Sequence, residues 1–151
     1  MTFTAGRTRG SVDEHERAMN RVCEDAIRRL ADVLAGCEVA FLGQREDLLV
    51  HLAHEGALRL IYEVPRELGG VTWRAVTTGE LQFVPDVAVD PDYIASDEAV
   101  RSEIAAPVFA RGAVIGAIDV ESTGRLDEQD AERVTRAAAA LGSELERVYD
   151  S

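Results

Sequence analysis

This sequence predicts an α+β fold: one antiparallel sheet with long N- and C-terminal helices on one face, and loops with short helices over a pocket on the other. Three observations predict it. Amphipathic helical periodicity occurs at both ends of the chain, Val- and Ile-rich runs split by short polar turns fill the middle, and two irregular stretches separate those runs. A sheet must bury both faces, so helices cover one and the irregular connections cover the other. A ligand cavity beneath such connections is the usual consequence.

Met1 to Gly10 is small, polar or basic and lacks periodicity, which predicts a flexible tail over residues 1–10 and a single domain over 11–151. Ser11, with Glu14 three residues on, reads as a capping box. Met19, Val22, Cys23, Ala26, Ile27, Leu30, Val33 and Leu34 then mark one apolar helix face that ends at Gly36. Cys37–Gln44 and Leu48–His54 flank a polar Arg-Glu-Asp turn and read as a first hairpin. Glu55–Gly70 is broken by Pro65 and Gly69-Gly70, so it reads as an irregular cover. Val71–Thr78, closed by Gly79, predicts two helical turns, and Leu81–Val84 predicts a strand stopped by Pro85. Asp86–Val100 carries Asp, Pro and Ser punctuation, with a short helix expected from Tyr93 to Val100. Near the end, Asp127 is a candidate N-cap assisted by Asp130. Val134, Ala138, Leu141, Leu145 and Val148 form a coiled-coil-like seam, so a homodimer through the terminal helices is expected.

Between these elements lies Arg101–Ser122, RSEIAAPVFARGAVIGAIDVES, which reads as the central hairpin. A three-residue loop at Ala110-Arg111-Gly112 would pair Phe109 with Ala113, set Glu103 opposite Asp119 and set Arg101 opposite Glu121. Glu103, Asp119 and Glu121 would then share one sheet face with Arg101. A two-residue loop would slip the register by one and separate Glu103 from Asp119.

The chain has 151 residues, enough for one filled core. Its net charge of −12 repels phosphate backbones and anionic lipid, which argues against nucleic acid or a membrane surface as a partner. No apolar run has the length of a signal peptide or a membrane span, so a cytoplasmic location is expected. Cys23 and Cys37 lack metal-ligand spacing and read as small apolar residues. His51 and His54 have opposite strand parity, which keeps them from facing one site and leaves haem without ligands. No cofactor or metal is expected.

The run GGVTWRAVTTGELQFVPDV, followed by DPDYI, RSEIAAPV, GAVIGAIDVES and a closing LDEQD helix, resembles a GAF domain over about Cys37 to Arg147. That resemblance implies a GAF/PAS-like sheet with a small-molecule pocket, a sensory or regulatory role, and terminal helices that often dimerise. Within the family, GGV, IASD, SEI and DVES resemble the free methionine-(R)-sulfoxide reductases. That subgroup has reactive cysteines at positions matching Thr72 and Ser96, and a hydroxyl cannot replace a thiolate in sulfoxide reduction. The subgroup's acidic ligand-binding positions match Glu103, Asp119 and Glu121. The cyclic-nucleotide and bilin-binding patterns of the family fit less well, because ESTGRLDE keeps only the final Asp-Glu and Asp86–Val100 holds no cysteine.

The expected function is therefore non-catalytic binding of an unknown small metabolite, with the signal passed through a dimer or to a signalling protein. Crowded carboxylates at Glu103, Asp119 and Glu121 suit a cationic ligand group such as an amine. Tyr93, Trp73, Ser96 and Ser102 are the further candidate contacts. No catalytic residue is expected, since neither serine has a neighbouring histidine base. A degenerate reductase using Cys23 or Cys37 is the alternative from the enzyme class, and a dimerisation module with no ligand is another.

Overall fold

Six strands form one antiparallel sheet in the order β3-β2-β1-β6-β5-β4, where β1 is Glu38–Arg45, β2 Leu48–Glu55, β3 Glu63–Pro65, β4 Gln82–Val84, β5 Ser102–Ala110 and β6 Ala113–Ser122. The computed structural model describes residues 9–57, 63–95 and 97–151, with side chains from Glu14 onward. The expected tail over 1–8 lies outside the described residues. Arg9 and Gly10 do not belong to a tail, because helix α1 runs from Arg9 to Val33 and takes Ser11 into its interior.

One face of the sheet carries α1 and α3, the latter spanning Glu128–Asp150. Ile27 and Leu30 from α1, Phe41 from β1, Ile104 from β5, and Val134 and Leu141 from α3 meet in the main core, all nearly inaccessible to water. The α3 seam Val134, Ala138, Leu141 and Leu145 is buried in that same core. Val148 packs on that core part-buried, whereas Val33 on the α1 face is 61% exposed. Asp127 caps α3 as the sequence indicates: its carboxylate accepts from the Asp130 amide, and Asp130 returns the bond to the Asp127 amide.

The opposite face carries α2, Val71–Thr78, and the connections around it. Trp73 and Val76 pack on Ala40, Leu42, Leu49 and Ala117, while Val71 and Ala75 pack on Val84 and Ala105. The Trp73 indole donates to the Val64 carbonyl at 2.7 Å, which ties α2 to the β3 edge. β3 itself falls in the stretch that reads as irregular in the sequence, being only three residues long and ending in a proline. The helix expected at Tyr93–Val100 is absent among the described residues. Asp90 and Asp97 instead accept the amides two residues on, from Asp92 and Ala99, and those local bonds compete with a helix. A short 3-10 turn at Val87–Val89 is the helical piece of that connection.

The central hairpin corrects the expected register. Its loop has two residues, Arg111 and Gly112, both at positive φ (53° and 76°), with Ala110 paired to Ala113. Left-handed values at both positions match the right-handed twist of the flanking strands. The turn docks on the end of α3: the Arg111 amide donates to Glu146 Oε1 at 2.5 Å, and its guanidinium pairs with Asp150 and lies 4.3 Å from the Tyr149 ring centroid. That loop alone would have split the carboxylates. A bulge between the Phe109–Val114 and Val108–Gly116 pairs inserts Ile115 and restores the parity, so Glu103 pairs with Glu121 and Ala105 with Asp119. Arg101 stands outside β5 and is exposed, with its amide on the Ser122 carbonyl.

Candidate functional site

Along β5 and β6, alternate side chains leave for opposite faces, and the bulge decides which. Ile104, Ala106 and Val108 enter the helix-side core with Ile118 and Val120. Glu103, Asp119 and Glu121 therefore point to the α2 side, where one carboxylate oxygen of each lies within 4.8 Å of the others. Glu103 is buried, with 3% exposure, whereas Asp119 and Glu121 are part-exposed. Pairing of Glu38 with Glu121 adds a fourth acidic residue to the row.

Burial first, then the charge of Asp119 and the hydrogen bond that protonated Glu103 donates to the Asp119 carboxylate, push Glu103 well above the usual carboxylate range. Burial also raises Asp119, against the opposing effects of Glu103, His51 and the Thr72 hydroxyl. The pair thus keeps a proton at a pH where isolated carboxylates have lost theirs. Tyr93 approaches from the connection above. Its hydroxyl is buried without a hydrogen-bond partner, and burial followed by Glu121, Glu103 and Asp119 raises its pKa. Asp119 Oδ1 is likewise buried and unpartnered. A cationic donor placed among these oxygens would satisfy Asp119 and relieve the mutual repulsion.

The two histidines correct a second parity expectation. A bulge in β2 at Leu52 separates the Phe41–Ala53 and Leu42–His51 pairs, so His51 faces the same side as Leu42 and His54 the same side as Ala40. Leu42 and Ala40 both belong to the α2-side cluster. Both imidazoles therefore lie on the floor. His54 Nε2 meets Glu38 Oε2 at 2.5 Å, while Glu38 Oε1 accepts the Ala57 amide at 2.7 Å. His51 is close enough for its charge to act on Asp119. Sequence reasoning missed both residues because a bulge within a run such as LLVHLAH carries no turn residue to mark it.

The remaining candidates separate. Ser102 lies on the helix face, wholly buried, where its hydroxyl donates to the Gly124 carbonyl at 2.8 Å and accepts the Leu126 amide at 3.0 Å. It fastens the β6–α3 connection and does not join the carboxylates. Trp73 is buried in the roof with its N–H already bonded to Val64 and with Arg66 stacked 4.4 Å from the ring centroid. Thr72, at the position that resembles a reactive-cysteine site, reaches Asp119. Ser96 lies outside the described residues. Cys23 and Cys37 pack on the helix-side core, away from the floor. Burial pushes the Cys23 thiol up to about 12, helped by Glu24 and Glu144, and burial also raises Cys37.

Comparison with known proteins follows the same lines. The family model described as GAF domain matches residues 14–146. The free methionine-R-sulfoxide reductase of Escherichia coli is 35% identical over 74 residues, covering 48% of this chain and 45% of that protein. The chain spans about half the length of the curated relatives it matches. The type II free methionine-R-sulfoxide reductase from Thermoplasma acidophilum superposes with a TM-score of 0.78 at 23% identity, over 89% of this chain and 96% of that one. The free methionine-R-sulfoxide reductase from Neisseria meningitidis, in complex with its substrate, gives 0.74 at 22% identity, over 99% and 98%. At such identities the superpositions establish the fold.

Proposed function

Because the chain belongs to the GAF domain family, we propose that it is a non-catalytic receptor for a small molecule bearing a cationic group, and that it signals through a dimer or a partner protein. The observation that carries this reading is the cluster of Glu103, Asp119 and Glu121, whose oxygens lie within 4.8 Å of one another beneath the unpartnered Tyr93 hydroxyl. Like charges so close are tolerated when a proton or a cation stands among them. An ammonium group would replace the proton and donate a hydrogen bond to the unpartnered Oδ1 of Asp119.

The family includes proteins that reduce free methionine sulfoxide, and that chemistry needs a thiolate at the ligand. Both cysteines here sit on the other side of the sheet with raised thiol pKa values, which supports binding without turnover. Among the described residues no helix is long and apolar enough to cross a membrane. Native mass spectrometry of the protein as purified, followed by calorimetric titration with methionine, its R-sulfoxide and simple primary amines, tests the receptor reading. Tight binding of an ammonium compound, lost in Glu103→Gln, supports it. Turnover of methionine sulfoxide with a thiol reductant, abolished by Cys37→Ser, would replace it with the enzyme reading.

A further inference from the structure

The connection that brings Tyr93 over the carboxylates starts at Val87, whose amide donates to the Arg101 carbonyl at 3.0 Å, and beyond that point its polar ties to the body of the fold converge on one side chain. Arg74, on α2, forks onto Asp90 with 3.0 and 2.8 Å bonds and onto Asp92 at 2.9 Å, while its Nε donates to Gln82 of β4 at 2.7 Å. Among the described residues, the hydrogen bonds that join Ala88–Ala95 to the rest of the fold all end on Arg74. The other bonds of this segment are local, such as Ala88 to Asp86 and Asp92 to Asp90. Among the described residues, apolar anchorage comes from Val87 and Tyr93 on the Val84–Ala105 cluster, and from Ile94, whose Cδ1 lies 3.0 Å from where a Cβ on Gly70 would stand. Val89, at the crest, is 79% exposed.

We infer that Arg74 is the latch of a strap, Ala88–Ala95, which gates access to the carboxylate floor: with the guanidinium engaged Tyr93 covers the floor, and with it released the strap lifts. The inference rests on the floor being the binding site only for what passes beneath the strap. The latch itself is a matter of charge and geometry. Arg74 stays protonated and Asp90 stays ionised throughout the neutral range, because each stabilises the other's charged form, Arg74 chiefly by its hydrogen bond to Asp90. The Arg74 side chain is 27% exposed and that of Asp92 50%, so water and salt reach the outer half of the fork. Screening falls hardest on such exposed pairs. The latch is thus tuned by ionic strength, and Arg74 acts as a positioning residue for Tyr93.

Hydrogen exchange of the intact chain, read by mass spectrometry without ligand, tests this. Arg74→Gln should speed exchange of the peptide spanning 88–95 by about tenfold while the β5 and β6 peptides keep their protection, since a local opening leaves the core closed. Arg74→Lys should restore part of the protection, and Asp92→Asn should give a smaller rise than Arg74→Gln. In the wild-type chain, raising salt from about 0.05 to 1 M should speed strap exchange, and in Arg74→Gln it should not. Unchanged strap exchange in Arg74→Gln, or equal salt dependence in both proteins, overturns the latch. A parallel loss of protection in β5 and β6 also overturns it, because Arg74 would then support the whole fold. No ligand enters the experiment, so its failure is distinct from failure of the receptor reading.

Discussion

Replacing Glu103 with glutamine should make the ligand-free protein more stable at pH 8 and leave it unchanged near pH 4.5. Two unit charges 4.8 Å apart repel by about 3.5 kcal/mol at an effective dielectric constant of 20. The folded chain avoids most of this by keeping Glu103 protonated, which carries its own free-energy cost as the pH rises. In the unfolded chain Glu103 releases its proton near its ordinary value of 4.5, whereas in the folded chain it does so at a higher pH. The stability associated with the group is therefore complete below about 4.5 and is lost as pH rises through the folded value. Glutamine keeps the shape, carries no charge and removes that loss. A gain at pH 8 follows, of at most about the 3.5 kcal/mol repulsion that an uncharged side chain avoids. Urea unfolding of both proteins at pH 4.5 and pH 8, with equal slopes, measures it. A variant that is less stable than wild type at pH 8, or whose difference is the same at both pH values, would refute the reasoning. Stability gained in exchange for weaker ligand capture is what the proposed receptor role predicts at Glu103.

Tyr93→Phe removes a buried hydroxyl that has no partner, so the ligand-free protein should gain up to about 1 kcal/mol by thermal or urea unfolding. Ser102→Ala leaves the Gly124 carbonyl and the Leu126 amide without their shared partner. It should lose about 2 kcal/mol in urea unfolding while ligand titration stays unchanged. Gly142→Ala would set a Cβ 2.0 Å from the Phe109 carbonyl oxygen. α3 must then lift from β5, with an expected loss of about 2 to 4 kcal/mol in the same assay.

Much of the fold is legible in the sequence because amphipathic helices and Val- and Ile-rich runs state their own period. The Asp127–Asp130 cap, α2 and both hairpins were all marked by side chains suited to their positions. The shared face of Glu103, Asp119 and Glu121 was also legible, though the pairing behind it was not. The expected three-residue loop and the observed two-residue loop plus Ile115 differ by two positions, which preserves parity. No such cancellation helped at His51 and His54, where the single extra residue Leu52 reversed the reading. Ser102 was misplaced for another reason. Its neighbours predict a strand correctly, but the Gly124 and Leu126 groups it serves lie more than twenty residues away in the chain. The Arg74 fork has the same character, since nothing near Arg74 announces Asp90 or Asp92.

The extra residue Ile115 acts like a compensating frameshift in a message, offsetting the two-residue loop that precedes it. Deleting Ile115 alone would leave every amino acid of the floor in the chain, yet send Asp119 and Glu121 toward α1 and α3 and bring Ile118 and Val120 up beneath Tyr93. A chain with the same acidic letters and a different backbone count would therefore lack the carboxylate floor. Any transplant of this site into another scaffold must copy the count of the backbone before the identity of its side chains.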